Sequence, residues 1–105
     1  MVRWGVLGLG RAANSFANAI KEVENAKLTS IASFSKNNNL TFGKKFNIPK
    51  NCQFNSYEDL INSEEVDAVF IGTLNNKHAD LTIKIAKAKK GILCEKPMVL
   101  NENEL

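Results

Sequence analysis

Arg3-Trp4-Gly5-Val6-Leu7-Gly8-Leu9-Gly10-Arg11-Ala12-Ala13 decides the fold. An apolar strand runs directly into a Gly-x-Gly-x-x-Ala turn, and Ala13, Phe16, Ala17, Ile20 and Val23 then recur at the spacing of one buried helical face. In such a turn Gly8 lets the chain reverse sharply, Gly10 keeps a side chain away from an approaching pyrophosphate, and Ala13 is small enough for the helix to pack on the strand. The amino end of that helix offers unpaired N–H groups and a positive dipole end to phosphate. Residues Gly8 to Ala13, including Leu9, Arg11 and Ala12, are therefore the expected cofactor-binding turn. The same pattern also serves as a tight packing turn with no ligand, and only its strand-turn-helix context favours the nucleotide.

Outward from this turn, strand and helix patterns alternate. Strands are expected at Val2–Leu7, Leu28–Phe34, near Cys52–Phe54, at Val66–Gly72 and at Ile92–Cys94. Helices are expected at Ala12–Glu24, from about Asn38 to Phe46, after the capping run Ser56-Tyr57-Glu58-Asp59, and from about Lys77 to Lys90, with Gly91 as its stop. Asn37-Asn38-Asn39 is read as a helix entry. Right-handed crossovers then give a Rossmann-type doubly wound α/β sheet of order 3-2-1-4-5. The run Val66-Asp67-Ala68-Val69-Phe70-Ile71 is nearly continuous in apolar residues, as a central parallel strand covered on both faces should be.

With 105 residues, 44% hydrophobic and 24% charged, the chain builds one core and reads as one domain. Its net charge of +3 is spread over several segments without aromatic interleaving, which argues against a nucleic-acid partner. No apolar run approaches the roughly 20 residues of a membrane span, and no signal peptide is evident, so a cytoplasmic location is the default expectation. Cys52 and Cys94 have no metal-ligand or disulfide spacing and read as buried thiols. The capping pattern Asn101-Glu102-Asn103-Glu104 announces a helix just before the last residue, Leu105. The expectation is a 1–105 dinucleotide-binding domain cut before a carboxyl-terminal substrate domain.

Two further motifs fall where a doubly wound sheet places its ligand, beyond strands four and five: Gly72-Thr73-Leu74-Asn75-Asn76-Lys77-His78 and Cys94-Glu95-Lys96-Pro97. With the glycine turn and Val66-Asp67-Ala68-Val69, they make the whole chain resemble the amino-terminal domain of the glucose-fructose oxidoreductase / inositol dehydrogenase / rhizopine-catabolism (Gfo/Idh/MocA) family. The resemblance implies that Thr73, Leu74 and Asn75 line the cofactor groove, that His78 opens a helix beside it, and that Glu95 and Lys96 reach the nicotinamide end. Lys96 is the implied catalytic residue: an ammonium there can polarise a carbonyl or hold a developing alkoxide. The family usually has proline where Leu74 stands. The resemblance further implies hydride transfer at a hydroxyl- or carbonyl-bearing carbon of a sugar-like or polyol substrate, and a homo-oligomeric parent. Substrate contacts and the oligomer-forming sheet would lie in a following domain.

The second strand addresses the choice of cofactor. An NAD site places Asp or Glu about 20 residues past the glycines to bind the ribose hydroxyls. Here Ala32-Ser33-Phe34-Ser35-Lys36 follows, and no acidic residue occurs from Asn25 to Tyr57. Ser33, Ser35 and Lys36 offer hydroxyls and a cation to a 2′-phosphate, so NADP is expected over NAD, although Phe34 occupies a place where NADP-using relatives commonly carry arginine. Two other readings compete with the enzyme: a non-catalytic dinucleotide sensor, and a Rossmann fragment that self-associates through the exposed fifth strand.

Overall fold

The computed structural model describes residues 1–73 and 78–94. Its strands are β1 (Val2–Leu7), β2 (Ala26–Ala32), β3 (Gln53–Phe54), β4 (Ala68–Ile71) and β5 (Gly91–Cys94), and its helices are α1 (Arg11–Ile20), α2 (Lys36–Phe46), α3 (Tyr57–Ile61) and α4 (His78–Lys87), with a 3₁₀ turn at Lys50–Cys52. The strands form one parallel sheet of order β3-β2-β1-β4-β5. The expected architecture and order are therefore present.

Alternation along each strand builds two cores. Val6, Ile31 and Phe70 face Ala13 and Ala17 of α1 and Phe42 of α2, while Leu7, Ala32, Val69 and Ile71 face Leu60 and Ile61 of α3 and Leu81 and Ile85 of α4. β1 and β4 are thus covered on both sides, which is why their sequences lack polar alternation. On the α1 side an aromatic stack locks helix to sheet: Phe16 lies 4.4 Å from Phe70 in parallel and 5.2 Å from Trp4 edge-on.

The boundaries differ from the sequence reading in ways that matter at the site. Helix α1 stops at Ile20 rather than Glu24, so Val23 is exposed. β2 ends at Ala32, two residues before the expected Phe34, because the Ser33 side chain folds the next residues into a turn. α2 starts at Lys36, capped by Ser35, whose hydroxyl accepts from Asn38 N. Lys89, not Gly91, takes the left-handed conformation after α4, with φ 61°, and Gly91 opens β5. Cys52 falls in the 3₁₀ turn, and both thiols are free and half-buried rather than fully buried.

Asn39 is the largest departure in character. It is more than a helix entry: its side chain is buried, and Nδ2 donates to Ser33 O at 3.2 Å, Phe54 O at 3.0 Å and Asn55 Oδ1 at 2.9 Å. One amide thereby ties α2 to the carboxyl ends of β2 and β3.

At the opposite end of the sheet, Arg3 clamps Asp67 in a bidentate pair, Nε to Oδ2 and Nη2 to Oδ1, both at 3.0 Å. That pair joins the amino ends of β1 and β4 and holds the Asp67 carboxyl down at about 2.

Candidate functional site

The strand order turns back between β1 and β4, since β2 and β3 lie on one side of β1 and β4 and β5 on the other. Loops leaving the carboxyl ends of β1 and β4 cannot both run the same way, and a crevice opens between them. The two loops touch. Gly72 N donates to Leu7 O at 2.9 Å, and a β-carbon built on Gly8 would lie 2.8 Å from Thr73 Cγ2. Gly8 also has φ +84°, so both its backbone and its neighbour demand glycine.

Gly10 is a different case. Its φ of −93° and ψ of −155° are open to other residues, and a β-carbon there would meet none of the described residues within 4 Å. Among the described residues neither strain nor crowding accounts for glycine at this position. The bare surface it leaves lies at the amino end of α1, where Gly10 is the N-cap but supplies no side-chain cap. The first turn carries no acidic residue, and its first position is the exposed Arg11. A cation at the positive end of a helix is unfavourable unless an anion shares the place, and free N–H groups at that end suit phosphate oxygens. Glycine surface, uncapped helix start and arginine together fit a pyrophosphate. Ala13 is fully buried against the sheet, and Leu9 and Ala12 pack on the same core, which leaves the backbone of the turn to face the crevice.

Asn14 escaped the sequence reading. Its main-chain N and Nδ2 both donate to Gly10 O at 3.1 Å, and its Oδ1 accepts from Lys45 Nζ of α2 at 3.1 Å. The Gly10 carbonyl is thus drawn towards the helix. A polar residue one turn into a dinucleotide-binding helix is the signal that could have found it.

At the end of β2, Ser33 is buried; its hydroxyl donates to Ser35 O at 2.9 Å and accepts from Ser35 N at 3.1 Å, while its main-chain N donates to Phe54 O. The Ser33 hydroxyl is therefore spent on shaping the loop. Ser35 Oγ caps α2, and Lys36, its first residue, is exposed. Of the three residues expected at a 2′-phosphate, the structure leaves Lys36 and the Ser35 hydroxyl hydrogen for a ligand. No residue of the β2–β3 segment from Asn25 to Tyr57 is acidic, so β2 and the turn after it contribute no carboxylate of their own.

Thr73 is placed across from Gly8, and His78 is the first residue of α4. Leu74, Asn75, Glu95 and Lys96 lie outside the described residues. Among the described residues no group of His, Cys, Asp and Glu could hold a metal, and no helix is long and apolar enough to cross a membrane.

Residues 2–105 match the family described as an oxidoreductase family with an NAD-binding Rossmann fold, Gfo/Idh/MocA. Trans-1,2-dihydrobenzene-1,2-diol dehydrogenase of Danio rerio is 30% identical over 99% of this chain and 31% of its own length. Myo-inositol 2-dehydrogenase of Thermotoga maritima is 35% identical over 95% of this chain and 29% of its own. Biliverdin reductase of Synechocystis sp. PCC 6803, solved in complex with biliverdin and NADP+, superposes with a TM-score of 0.82 at 30% identity, over 94% of this chain and 30% of its own. The chain spans less than a third of the length of each of these proteins. A Rossmann sheet with its glycine turn at the switch point, matched over nearly every residue, makes this chain a member of the Gfo/Idh/MocA oxidoreductase family by its NAD-binding domain.

Proposed function

We propose that this chain is the dinucleotide-binding part of an NADP-preferring oxidoreductase that moves a hydride to or from a hydroxyl- or carbonyl-bearing carbon of a cyclic polyol or sugar-like substrate. The observation that carries the cofactor preference is the end of β2. The position at which NAD enzymes keep a carboxylate is filled by a Ser33 turn that delivers the Lys36 ammonium, and no acidic residue occurs from Asn25 to Tyr57. A carboxylate there would repel a 2′-phosphate, whereas an exposed ammonium with a neighbouring hydroxyl attracts it.

The residues divide the work by position. Gly8 and Gly10 let the pyrophosphate approach the backbone, the amino end of α1 supplies N–H donors, and Arg11 adds charge. Asn14 and Lys45 hold the Gly10 carbonyl out of the way of the anion. Thr73 and, by family resemblance, Leu74, Asn75 and His78 line the groove on the β4 side. The bound nicotinamide supplies the hydride chemistry. By family resemblance, Lys96, next to Glu95 in the chain, would bind the substrate oxygen and stabilise negative charge on it. The substrate class rests on the relatives, two of which are named for a cyclic trans-diol and for inositol, a cyclic polyol. A following substrate domain, a homo-oligomeric assembly and a cytoplasmic location complete the proposal.

Side-by-side titration of the protein with NADPH and NADH tests it, followed by nicotinamide fluorescence. The expected result is at least tenfold tighter NADPH binding, about 1.4 kcal/mol, lost in Lys36→Ala. Equal affinities, or a preference for NADPH untouched in Lys36→Ala, would overturn the assignment. Tight NADPH binding without turnover of any diol in the intact protein would instead favour the sensor.

A further inference from the structure

We propose that the ring of Phe34, backed by Tyr57, is the shelf on which the adenine base of the cofactor stacks; this rests on the dinucleotide reading above. Phe34 is 73% exposed, an unusual state for a phenylalanine next to a buried strand end. It is nevertheless held in place: one face lies against Tyr57 at 4.6 Å between ring centres with a 32° tilt. Tyr57 is itself half-buried and packed on the α3–α4 core. The rest of the Phe34 ring is exposed, two residues beyond the last residue of β2.

That place is defined by the dinucleotide geometry. A pyrophosphate at Gly8–Gly10 puts the adenosine ribose at the end of β2, and the base then lies just outside it. Beside Phe34 the surface forms a hollow of about 140 Å³, lined by Phe34, Tyr57, Glu58, Asp80, Leu81 and Lys84. Pockets for whole ligands run to roughly 300–1,000 Å³, so this one suits a single ring system.

Charge distinguishes base from phosphate at this point. Lys84 is already engaged by Glu58 at 2.7 Å and Asp80 at 3.5 Å, so the hollow has two carboxylates against one ammonium. Phosphate is disfavoured there, while a neutral heteroaromatic ring with an amino donor finds acceptors at the rim and apolar faces on Phe34 and Leu81. Ser35 and Lys36 follow Phe34 in the chain, and Lys36, with the opposite charge, lines a different hollow beside Asn39 and Lys50. One aromatic residue thus separates a neutral-base compartment from an anion compartment. This gives Phe34 a role of its own at a place where NADP-using relatives commonly carry arginine.

Two variants and three probes test the shelf. Base–aromatic stacking is worth about tenfold or more in affinity when the ring is truncated. Phe34→Ala should therefore weaken adenosine 2′,5′-bisphosphate and NADPH by about tenfold, while nicotinamide mononucleotide, which lacks adenine, is unchanged. Phe34→Trp should keep wild-type affinity within about threefold. Its indole emission, taken over the Trp4 background, should be quenched by adenosine 2′,5′-bisphosphate and not by nicotinamide mononucleotide. Trp4 packs on the α1 side of the sheet, away from the hollow. Undiminished binding of the bisphosphate by Phe34→Ala, or an unquenched Phe34→Trp that still binds it, would overturn the shelf while leaving the dinucleotide reading intact. A wild-type protein that binds neither NADPH nor the bisphosphate would overturn both.

Discussion

Gly10→Ala separates ligand geometry from folding more cleanly than any other change in the chain. The backbone at Gly10 is already in a region open to alanine, and the added methyl would meet no atom of the described residues within 4 Å. Removing glycine's freedom in the unfolded chain stabilises by about 0.4–1 kcal/mol. Alanine is a poorer N-cap than glycine by roughly 0.5–1 kcal/mol, which acts the other way. The net change in stability is within about 1 kcal/mol, and Tm should move by no more than roughly 4–8 °C. The same methyl stands where a pyrophosphate oxygen must approach the amino end of α1. Losing one charge-assisted N–H bond costs about 1.5–3 kcal/mol, or roughly 10- to 150-fold in NADPH affinity. Gly8→Ala is the contrast: with φ +84° and a contact of 2.8 Å to Thr73 Cγ2, it should lose stability by about 1–3 kcal/mol before any ligand is added. Thermal unfolding by circular dichroism and NADPH fluorescence titration, run on both variants, read the two effects independently. Wild-type NADPH affinity in a folded Gly10→Ala protein would refute the placing of the pyrophosphate, and a large drop in its Tm would show that Gly10 serves packing.

Three other changes probe separate parts of the molecule. Asn39→Ala removes the side-chain donor to Ser33 O and one of the two donors to Phe54 O, and should cost about 1–3 kcal/mol in chemical denaturation; a loss below about 1 kcal/mol would mean that these buried bonds do not hold the β2 end. In the intact protein Lys96→Ala should lower kcat strongly and leave the NADPH dissociation constant within a few-fold, and the reverse pattern in turnover and binding assays would remove Lys96 from the chemical step. Asp67 is held at about 2, below its ordinary 3.8, first by the side-chain hydrogen bond from Arg3 and then by the Arg3 main-chain N. A carboxyl depressed in the folded state stabilises above its unfolded value and loses that contribution as pH falls towards the folded one. Thermal unfolding across pH 3.8 to about 2 should therefore decline more steeply in wild type than in Asp67→Asn, most visibly at low salt because the pair is exposed, and parallel curves would contradict it.

The fold was legible because its signals are local and repeated. Apolar runs at β1 and β4, a 3.6-residue pattern in α1 and the Ser56 cap each specify one element, and the handedness of crossovers leaves little choice of order. The glycine turn between β1 and α1 was legible for the same reason: its glycines and Ala13 are neighbours in sequence. What stayed hidden depends on residues that meet only in the folded chain. Asn39 reads as one of three polar asparagines until α2 lies over the ends of β2 and β3, where a buried amide has acceptors to satisfy. Ser33 reads as a ligand hydroxyl until the chain turns back on it, and the turn then consumes the bond it would have given.

Phe34 shows how a boundary shift of two residues changes what a side chain presents at the surface. Had β2 run through Phe34, the ring would have pointed into one face of the sheet and counted as core. Because the Ser33 hydroxyl closes a turn on Ser35, the strand stops at Ala32, and Phe34 is thrown outward onto Tyr57. The same turn sets the Ser35 cap and thereby the first residue of α2, Lys36. One buried hydroxyl thus positions both the aromatic face and the cation, and Ser33→Ala should weaken NADPH binding by severalfold although the hydroxyl touches no ligand. If Ser33→Ala bound NADPH as tightly as wild type, the turn would be held by Asn39 and the α2 cap alone, and the positioning role would pass to them.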